Sequence, residues 1–332
     1  MICFNGTSTR LKKYKFIDLF AGIGGFRLAM ERYGAKCVFS SEWDKEAASV
    51  YEKNFKEKPF GDITKIKEKD IPQHDILCAG FPCQPFSISG KQNGFDDTRG
   101  TLFFDIARIA KSHKPKILIL ENVKNFSTHN NGKTLNTVLE VLDKLNYNVY
   151  HKVLNASLFG VPQKRERIFI LGFRKEYKIK SFNFPKEQNA NTTLRDILIN
   201  NVEKRLFIKR KDFVFKQDNG LFNLKIPGIA EAKPIRLGIC NKGGQGERIY
   251  SIDGHAITLS AYGGGAGAKT GLYLVGGKVR KLAPRECARA MGFPDEFQIH
   301  EKYTQAYKQF GNSVVVNVVD AIIQKLISDQ IL

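Results

Sequence analysis

Phe16-Ile17-Asp18-Leu19-Phe20-Ala21-Gly22-Ile23-Gly24-Gly25-Phe26-Arg27-Leu28-Ala29-Met30-Glu31-Arg32 reads as strand, turn and helix in immediate succession. Phe16 to Phe20 is a compact apolar run, the glycines turn the chain, and Phe26 to Arg32 has helical spacing. That order begins a nucleotide-binding α/β fold. A second strand, Cys37-Val38-Phe39-Ser40-Ser41, ends at Glu42, about where an acidic residue grips ribose hydroxyls in such folds. Arg27 stands where the last glycine of the dinucleotide fingerprint would be, so the expected ligand is a nucleoside without a pyrophosphate. S-adenosylmethionine fits. Phe20 before the turn and Trp43 after Glu42 can sandwich an adenine ring, although aromatics at strand ends are also ordinary core. Asp62-Ile63, after Pro59-Phe60-Gly61, closes the next connection.

Working outward, short apolar runs keep alternating with helical stretches. Asp75-Ile76-Leu77-Cys78 leads into Ala79-Gly80-Phe81-Pro82-Cys83-Gln84-Pro85-Phe86-Ser87-Ile88-Ser89, a buried strand opening onto a double-proline loop. Such a loop presents Cys83 at a strand's carboxyl end, where open α/β sheets put their chemistry, with its backbone restricted by proline on either side. Leu102 to Ala110 reads as a helix, and Pro115 to Leu120 as a strand ending in Glu121-Asn122-Val123. A helix from Thr134 to Leu145 and apolar runs from Tyr147 to Leu154 and Arg167 to Gly172 complete a largely parallel, doubly wound sheet. Between those runs lies the basic loop Gly160 to Arg167.

The chain has 332 residues, 42% of them hydrophobic and 26% charged, which suits a globular protein with room for two domains. No apolar run approaches a membrane span, and Met1 to Asn5 lacks the start of a signal peptide, so a cytoplasmic protein without a membrane partner is expected. Six dispersed cysteines lack metal-ribbon or redox spacing, and no metal is expected; Cys37 and Cys78 sit in apolar runs and read as core. A net charge of +20 points to a polyanion. Lys204-Arg205, Lys209-Arg210-Lys211 and Lys216, interleaved with Leu206, Phe207, Phe213 and Phe215, suit nucleic acid or one solvated face of a strand pair.

From Lys186 to Asn201 the rhythm breaks into polar, Asn-rich sequence, and helical periodicity is scarce up to Pro284. This places a large domain at 1–194 with 312–332, a smaller β-rich domain at 195–284 and a hinge at 285–311. Tyr262 to Gly267 followed by Lys269-Thr270 nearly makes a phosphate-binding loop, but Ala268 occupies the required glycine and no long helix follows. Helices are expected at Arg285 to Met291 and from Asn312 onward.

The ordered set Asp18 to Gly25, Pro82-Cys83-Gln84, Glu121-Asn122-Val123, Gln163 to Arg167, Arg285-Glu286-Cys287 and Gly311-Asn312-Ser313-Val314 resembles the DNA cytosine-C5 methyltransferases over nearly the whole chain. Gly243 to Tyr250 and Ala256 to Gly265 are similar to the recognition segments of a bacterial restriction-modification member that reads GCGC. The chain departs from them at Asn241, Ile252 to His255 and Ala266 to Ala268. The resemblance implies S-adenosylmethionine bound by Phe20, Gly22, Gly24, Gly25, Glu42, Trp43, Asp62, Ile63, Leu102, Asn312, Ser313 and Val314. It implies duplex DNA as partner, held between the domains by a monomer, with Gln245 and Ser89 filling the space of a flipped base and Arg248, Thr258 and Tyr262 reading sequence.

Chemistry gives independent reasons for the catalytic set. Carbon 5 of cytosine is a poor nucleophile until something adds at carbon 6, and a soft thiolate such as that of Cys83 is a natural activator. A neutral Glu121 at a neighbouring strand end can supply the proton or hydrogen bond that ring nitrogen 3 needs. By resemblance, Arg165 orients the base at O2 and Arg167 supports the same loop.

Overall fold

The structure, a computed structural model, describes residues 9–82, 102–179, 181–187, 192–215 and 233–332. It divides into a first unit, Met1–Leu154, Glu166–Pro185 and Val319–Leu332, and a second, Asn155–Arg165 and Lys186–Val318. These limits differ from the expected ones in that 155–165, 186–194 and 312–318 lie in the second unit.

In the first unit the strand–turn–helix opening is β1 (Lys15–Leu19) and α1 (Gly25–Arg32), followed by β2 (Lys36–Ser41) and α2 (Lys45–Phe55). Then come β3 (Ile76–Gly80), α3 (Leu102–His113), β4 (Ile117–Val123), α4 (Lys133–Lys144), β5 (Tyr147–Asn155) and β6 (Glu166–Arg174). The sheet order is β2-β1-β3-β4-β6-β5, with β2, β1, β3 and β4 mutually parallel. The order reverses between β1 and β3, and there the carboxyl ends of the strands open a crevice. Side chains alternate across the sheet. Ile17, Leu19, Leu77, Ala79, Leu118 and Leu120 pack with Phe103, Ile106, Ile109, Val138 and Leu142 of α3 and α4 in one core cluster. On the other face, Asp320 of the last helix accepts from Arg32 (3.1 Å) and from the Tyr33 hydroxyl (3.0 Å) at the end of α1. The sheet is thus covered on both sides, as a doubly wound fold requires.

One strand departs from the expected parallel run. β6 is antiparallel to β4, with Val123 opposite Arg167 and Glu121 opposite Phe169. Residues 156–165 hold a single 3-10 turn between β5 and β6. A parallel neighbour needs a crossover of about a dozen residues or more, and this connection is too short for one.

The second unit holds a five-stranded sheet in the order β11-β10-β9-β8-β7, formed by β7 (Val214–Phe215), β8 (Arg236–Ile239), β9 (Arg248–Ser251), β10 (Leu272–Val275) and β11 (Lys278–Arg280). Only β9 and β10 are parallel, and residues 252–271 make the connection between them. After Thr270 the chain enters β10 rather than a helix, unlike a phosphate-binding loop. α5 (Pro284–Ala290) and α6 (Tyr303–Asn312) complete the unit, and the unit boundary falls inside α7 (Val316–Ser328). Tyr303–Ser328 has the length and mean hydropathy, 1.3, of a membrane span, contrary to the expectation that no stretch does. It is two helices interrupted at residues 313–315, and 61% of its most apolar window is buried inside the protein, as in core helices.

Candidate active site

β1 delivers the chain to the carboxyl edge of its sheet, where Phe20, Gly22 and Gly24, all at positive φ, bend it into α1. Gly24 is obligatory. At φ +88° its Cβ would lie 2.2 Å from a ring carbon of Phe55. At Gly22 an added Cβ meets nothing within 4 Å among the described residues, so that side of the turn can admit a ligand.

Glu42, just past β2, accepts from the Gly22 N–H (2.7 Å) and the Asp44 N–H (2.7 Å), fixing the glycine turn to the start of α2. Burial pushes the Glu42 carboxyl up in pKa, against the lowering effect of the bonds from Asp44 and Gly22. A carboxylate has about four lone-pair sites, so two bonds leave acceptors for vicinal hydroxyls. Asp44 itself caps α2, accepting from the N–H groups of Glu46 and Ala47. Trp43 is 79% exposed, an aromatic plate free to cover a purine. Phe20 is half-buried and packs against the core cluster, and Phe60, 57% exposed, stacks on Phe39 with centroids 4.7 Å apart. Asp62 bonds the N–H of Thr64, Ile63 is buried, and Leu102 begins α3. Asn312, Ser313 and Val314 belong to the second unit. The Glu42 acceptors and the exposed Trp43 ring of the first unit therefore fit a nucleoside carrying free ribose hydroxyls.

Arg27, which displaced the expected glycine, clamps α1 to α2. It bonds Glu31 (2.6 Å), Glu57 (2.7 Å) and the Tyr51 hydroxyl (3.2 Å), and lies over the Phe55 ring. Sequence reading recognised the departure but not this use.

At the carboxyl end of β4, Glu121 is 8% exposed, and its Oε1 lies 3.2 Å from Arg167 Nε. The contact is a cross-strand diagonal, and it exists because β6 is antiparallel to β4. In a parallel strand, Arg167 would start at the opposite edge. Asn122, 1% exposed, donates to the Phe81 carbonyl (2.9 Å), while the Phe81 ring sits edge-on to Phe126. This anchors the chain two residues before Cys83. Cys83 and Ser89 lie outside the described residues, as does Lys216 of the basic cluster. The anchoring role of Asn122 carries no sequence signal beyond its place beside Glu121.

Arg165 is the residue expected to orient the base. It is 2% exposed, and its guanidinium donates to three carbonyls of its own unit, Leu259 (2.9 Å), Gly311 (2.8 Å) and Ser313 (2.8 Å). A fork held by three main-chain acceptors is a structural clamp. Gln163, fully buried, works beside it, donating to the Ala290 carbonyl and accepting from the Leu259 N–H. Arg167 is the arginine of this loop that faces the Glu121 carboxylate. Spacing could not distinguish two arginines two residues apart.

In the second unit Gln245, Thr258, Tyr262 and Lys269 line one concave surface with several glycines. Tyr262 is 73% exposed, and the Thr258 hydroxyl donates to the Lys164 carbonyl (2.6 Å). The glycines serve backbone approach between loops: a Cβ on Gly246 would meet the Gly264 carbonyl oxygen at 2.0 Å. Arg248 opens β9, and its Nε donates to the Gly243 carbonyl (3.3 Å). Glu286 of the Arg285-Glu286-Cys287 motif is fully buried, accepting from both terminal nitrogens of Arg280 and from the N–H groups of Ala283 and Ile199. In the basic cluster, Arg205 and Arg210 are paired with Glu203 and Asp212.

A glycine turn at a sheet's reversal point, an acidic residue at the next strand end and a carboxylate–arginine pair at the end of β4 suit an α/β enzyme that binds a nucleoside. Residues 14–328 match the C-5 cytosine-specific DNA methylase model, and the chain belongs to that family. It is a C-5 cytosine DNA methyltransferase. It is 59% identical to the type II methyltransferase M.HhaI of Haemophilus parahaemolyticus, with 94% of each chain covered. It is 48% identical to M.NgoBI of Neisseria gonorrhoeae, over 93% of this chain and 91% of the relative. Its fold matches the S. pombe Dnmt2 methyltransferase with a TM-score of 0.71 at 19% identity, covering 96% of this chain and all of the other. Membership implies S-adenosylmethionine as methyl donor and DNA as substrate.

Proposed function

We propose that the chain methylates carbon 5 of a cytosine flipped out of duplex DNA, the first cytosine of GCGC, as the protecting half of a type II restriction-modification pair. The observation that carries the chemistry is the Glu121–Arg167 pair at 3.2 Å, beside the strand end that Asn122 anchors ahead of Cys83. Flipping costs a few kcal/mol, and Gln245 and Ser89 fill the vacated space. The Cys83 thiolate adds to carbon 6, and the electrons of the 5,6 double bond move to carbon 5 as Glu121 donates a hydrogen bond or proton at nitrogen 3. Arg167, rather than Arg165, lies at O2 of the base and holds the Glu121 carboxyl in line. S-adenosylmethionine supplies an electrophilic methyl from its sulfonium. Carbon 5 takes that methyl as its bond to sulfur breaks and the neutral thioether S-adenosylhomocysteine is left; the carbon 5 proton then leaves to a base, the thiolate departs from carbon 6, and any proton given to nitrogen 3 returns to Glu121.

Glu42 and Trp43 hold the ribose and adenine of the cofactor, with the glycine turn close to the rest of the nucleoside. Asn312, Ser313 and Val314 are proposed to complete that site. Thr258, Tyr262 and Arg248 carry target choice, supported by 59% identity to M.HhaI over 314 residues. Arginine offers two donors to guanine N7 and O6, a preference of about 1–3 kcal/mol over other bases. Bisulfite sequencing of DNA from cells expressing the chain tests the whole reading. Conversion-resistant cytosine is expected at the first C of GCGC. Protection spread over other sites would remove the target assignment and leave the catalytic one.

A further inference from the structure

We infer that the amino-terminal edge of the six-stranded sheet is a second docking surface for duplex DNA, which it holds by the phosphates while the active site engages another segment. Six lysines meet there. Lys13 and Lys15 lie at the start of β1, Lys36 starts β2, Lys114 and Lys116 precede β4, and Lys178 follows β6. The edge is continuous. The Lys36 N–H donates to the Tyr14 carbonyl (3.0 Å) and the Arg174 N–H to the Lys116 carbonyl (3.1 Å). The Lys116 ammonium sits 5.4 Å from the centre of the Tyr14 ring and 5.2 Å from that of Tyr177, and Lys13 lies 5.1 Å from Tyr14.

Two acidic side chains of this edge are paired with cations, and a third is held by a main-chain N–H. Asp75 accepts the Lys15 N–H, Glu176 pairs with Arg174, and Asp143 pairs with Lys175. Lys13, Lys15, Lys36, Lys114 and Lys178 are exposed and have no carboxylate partner among the described residues. Strands spaced by about 4.8 Å spread the row from β2 to β6 over roughly 19 Å, enough to face several phosphates. The strands themselves, at about 3.3 Å per residue, set this edge about 15–20 Å from the one bearing Glu42 and Glu121. One straight stretch of duplex cannot lie on both. Tyr177 is the only large apolar side chain exposed on this edge among the described residues, so the surface lacks the apolar anchors of a membrane face. Lysine point charges suit backbone contact irrespective of sequence.

The test uses the full chain loaded on a tethered short duplex containing the target, to which a labelled duplex lacking the target is added at low salt. The wild-type chain should capture the second duplex. The quadruple variant Lys13→Gln, Lys15→Gln, Lys36→Gln, Lys178→Gln should capture at least tenfold less while methylating the short duplex within twofold of wild type. Its log–log salt slope for the second duplex should drop by about 3.6, four contacts at roughly 0.9 each. The corresponding four Lys→Arg changes keep the charge and should keep capture. Equal capture by the glutamine variant would mean that the second duplex sits elsewhere, including in the active site of another copy. That result would overturn the assignment, as would absence of capture by the wild type, loss of capture in the arginine variant, or displacement of the second duplex by anionic vesicles.

Discussion

Replacing Arg165 and Arg167 one at a time by alanine separates structure from chemistry within a single loop. The Arg165 fork makes three hydrogen bonds of 2.8–2.9 Å to Leu259, Gly311 and Ser313, and all are lost together in Arg165→Ala. Each carbonyl left buried without a donor costs about 1–3 kcal/mol, and the three are not additive because water can enter the space left behind. We expect a loss of about 3–5 kcal/mol, which lowers Tm by roughly 6–20 °C at the usual 2–4 °C per kcal/mol. Arg167 makes one largely buried pair with Glu121 and bonds the Glu166 carbonyl, and its loss should cost about 1–3 kcal/mol, less than that of the three-carbonyl clamp. Its loss should instead reduce single-turnover methylation by about a hundredfold or more, the scale of removing one donor aimed at a reacting group. Thermal melts alongside single-turnover assays on a short duplex read both effects. An Arg165→Ala protein melting within about 1 °C of wild type would refute the clamp. Equal destabilisation by Arg167→Ala would refute the division of labour.

Cys83→Ser should abolish methylation yet leave cofactor and DNA affinity near wild type, because phosphate contacts lie elsewhere; residual turnover close to wild type would exclude the covalent route. Glu42→Gln keeps the shape of the side chain but removes its charge and one acceptor for the ribose, so calorimetry should show S-adenosylmethionine binding weakened about tenfold or more. His74 is 2% exposed, and burial pushes its pKa down from 6.5 to about 4, with Pro72 accepting at Nδ1 and His113 stacked nearby. The folded state keeps it neutral, so its contribution is complete above pH 6.5 and is lost as pH falls towards 4, about 3 kcal/mol in all. Denaturant midpoints of His74→Gln should lose that part of the slope between pH 6.5 and 4, and a wild-type stability flat over that interval would contradict it.

Much of this was legible in the sequence because strand, turn and helix announce themselves through periodicity and glycine. The opening turn, Glu42 at the second strand end and Glu121 at the fourth all stand where the sequence reading put them. What it missed are choices made by tertiary packing. Direction of β6 depends on a connection of ten residues being too short to cross the sheet, and local pattern is silent on strand direction. Arg165 and Arg167 are chemically identical and two residues apart; only the register of β6 against β4 tells which one meets Glu121. Arg27 read as a departure from a glycine motif, while its use came from Tyr51, Phe55 and Glu57, more than twenty residues downstream. Gly243 to Tyr250 reads as a recognition segment by resemblance, yet Gly246 within it is required by the close approach of the Gly264 backbone.

The bonds of Gln163 and Arg165 end almost wholly on main-chain atoms, at Leu259, Ala290, Gly311 and Ser313. Main-chain atoms are the same whatever residue carries them. A scaffold fastened that way is blind to the exposed side chain of Tyr262, which can be exchanged without loosening what lies behind. If these residues read the target as proposed, a single exchange at Tyr262 changes the word without disturbing its support, and residues 256–262 form a cassette to be transplanted whole between relatives that share the two fasteners.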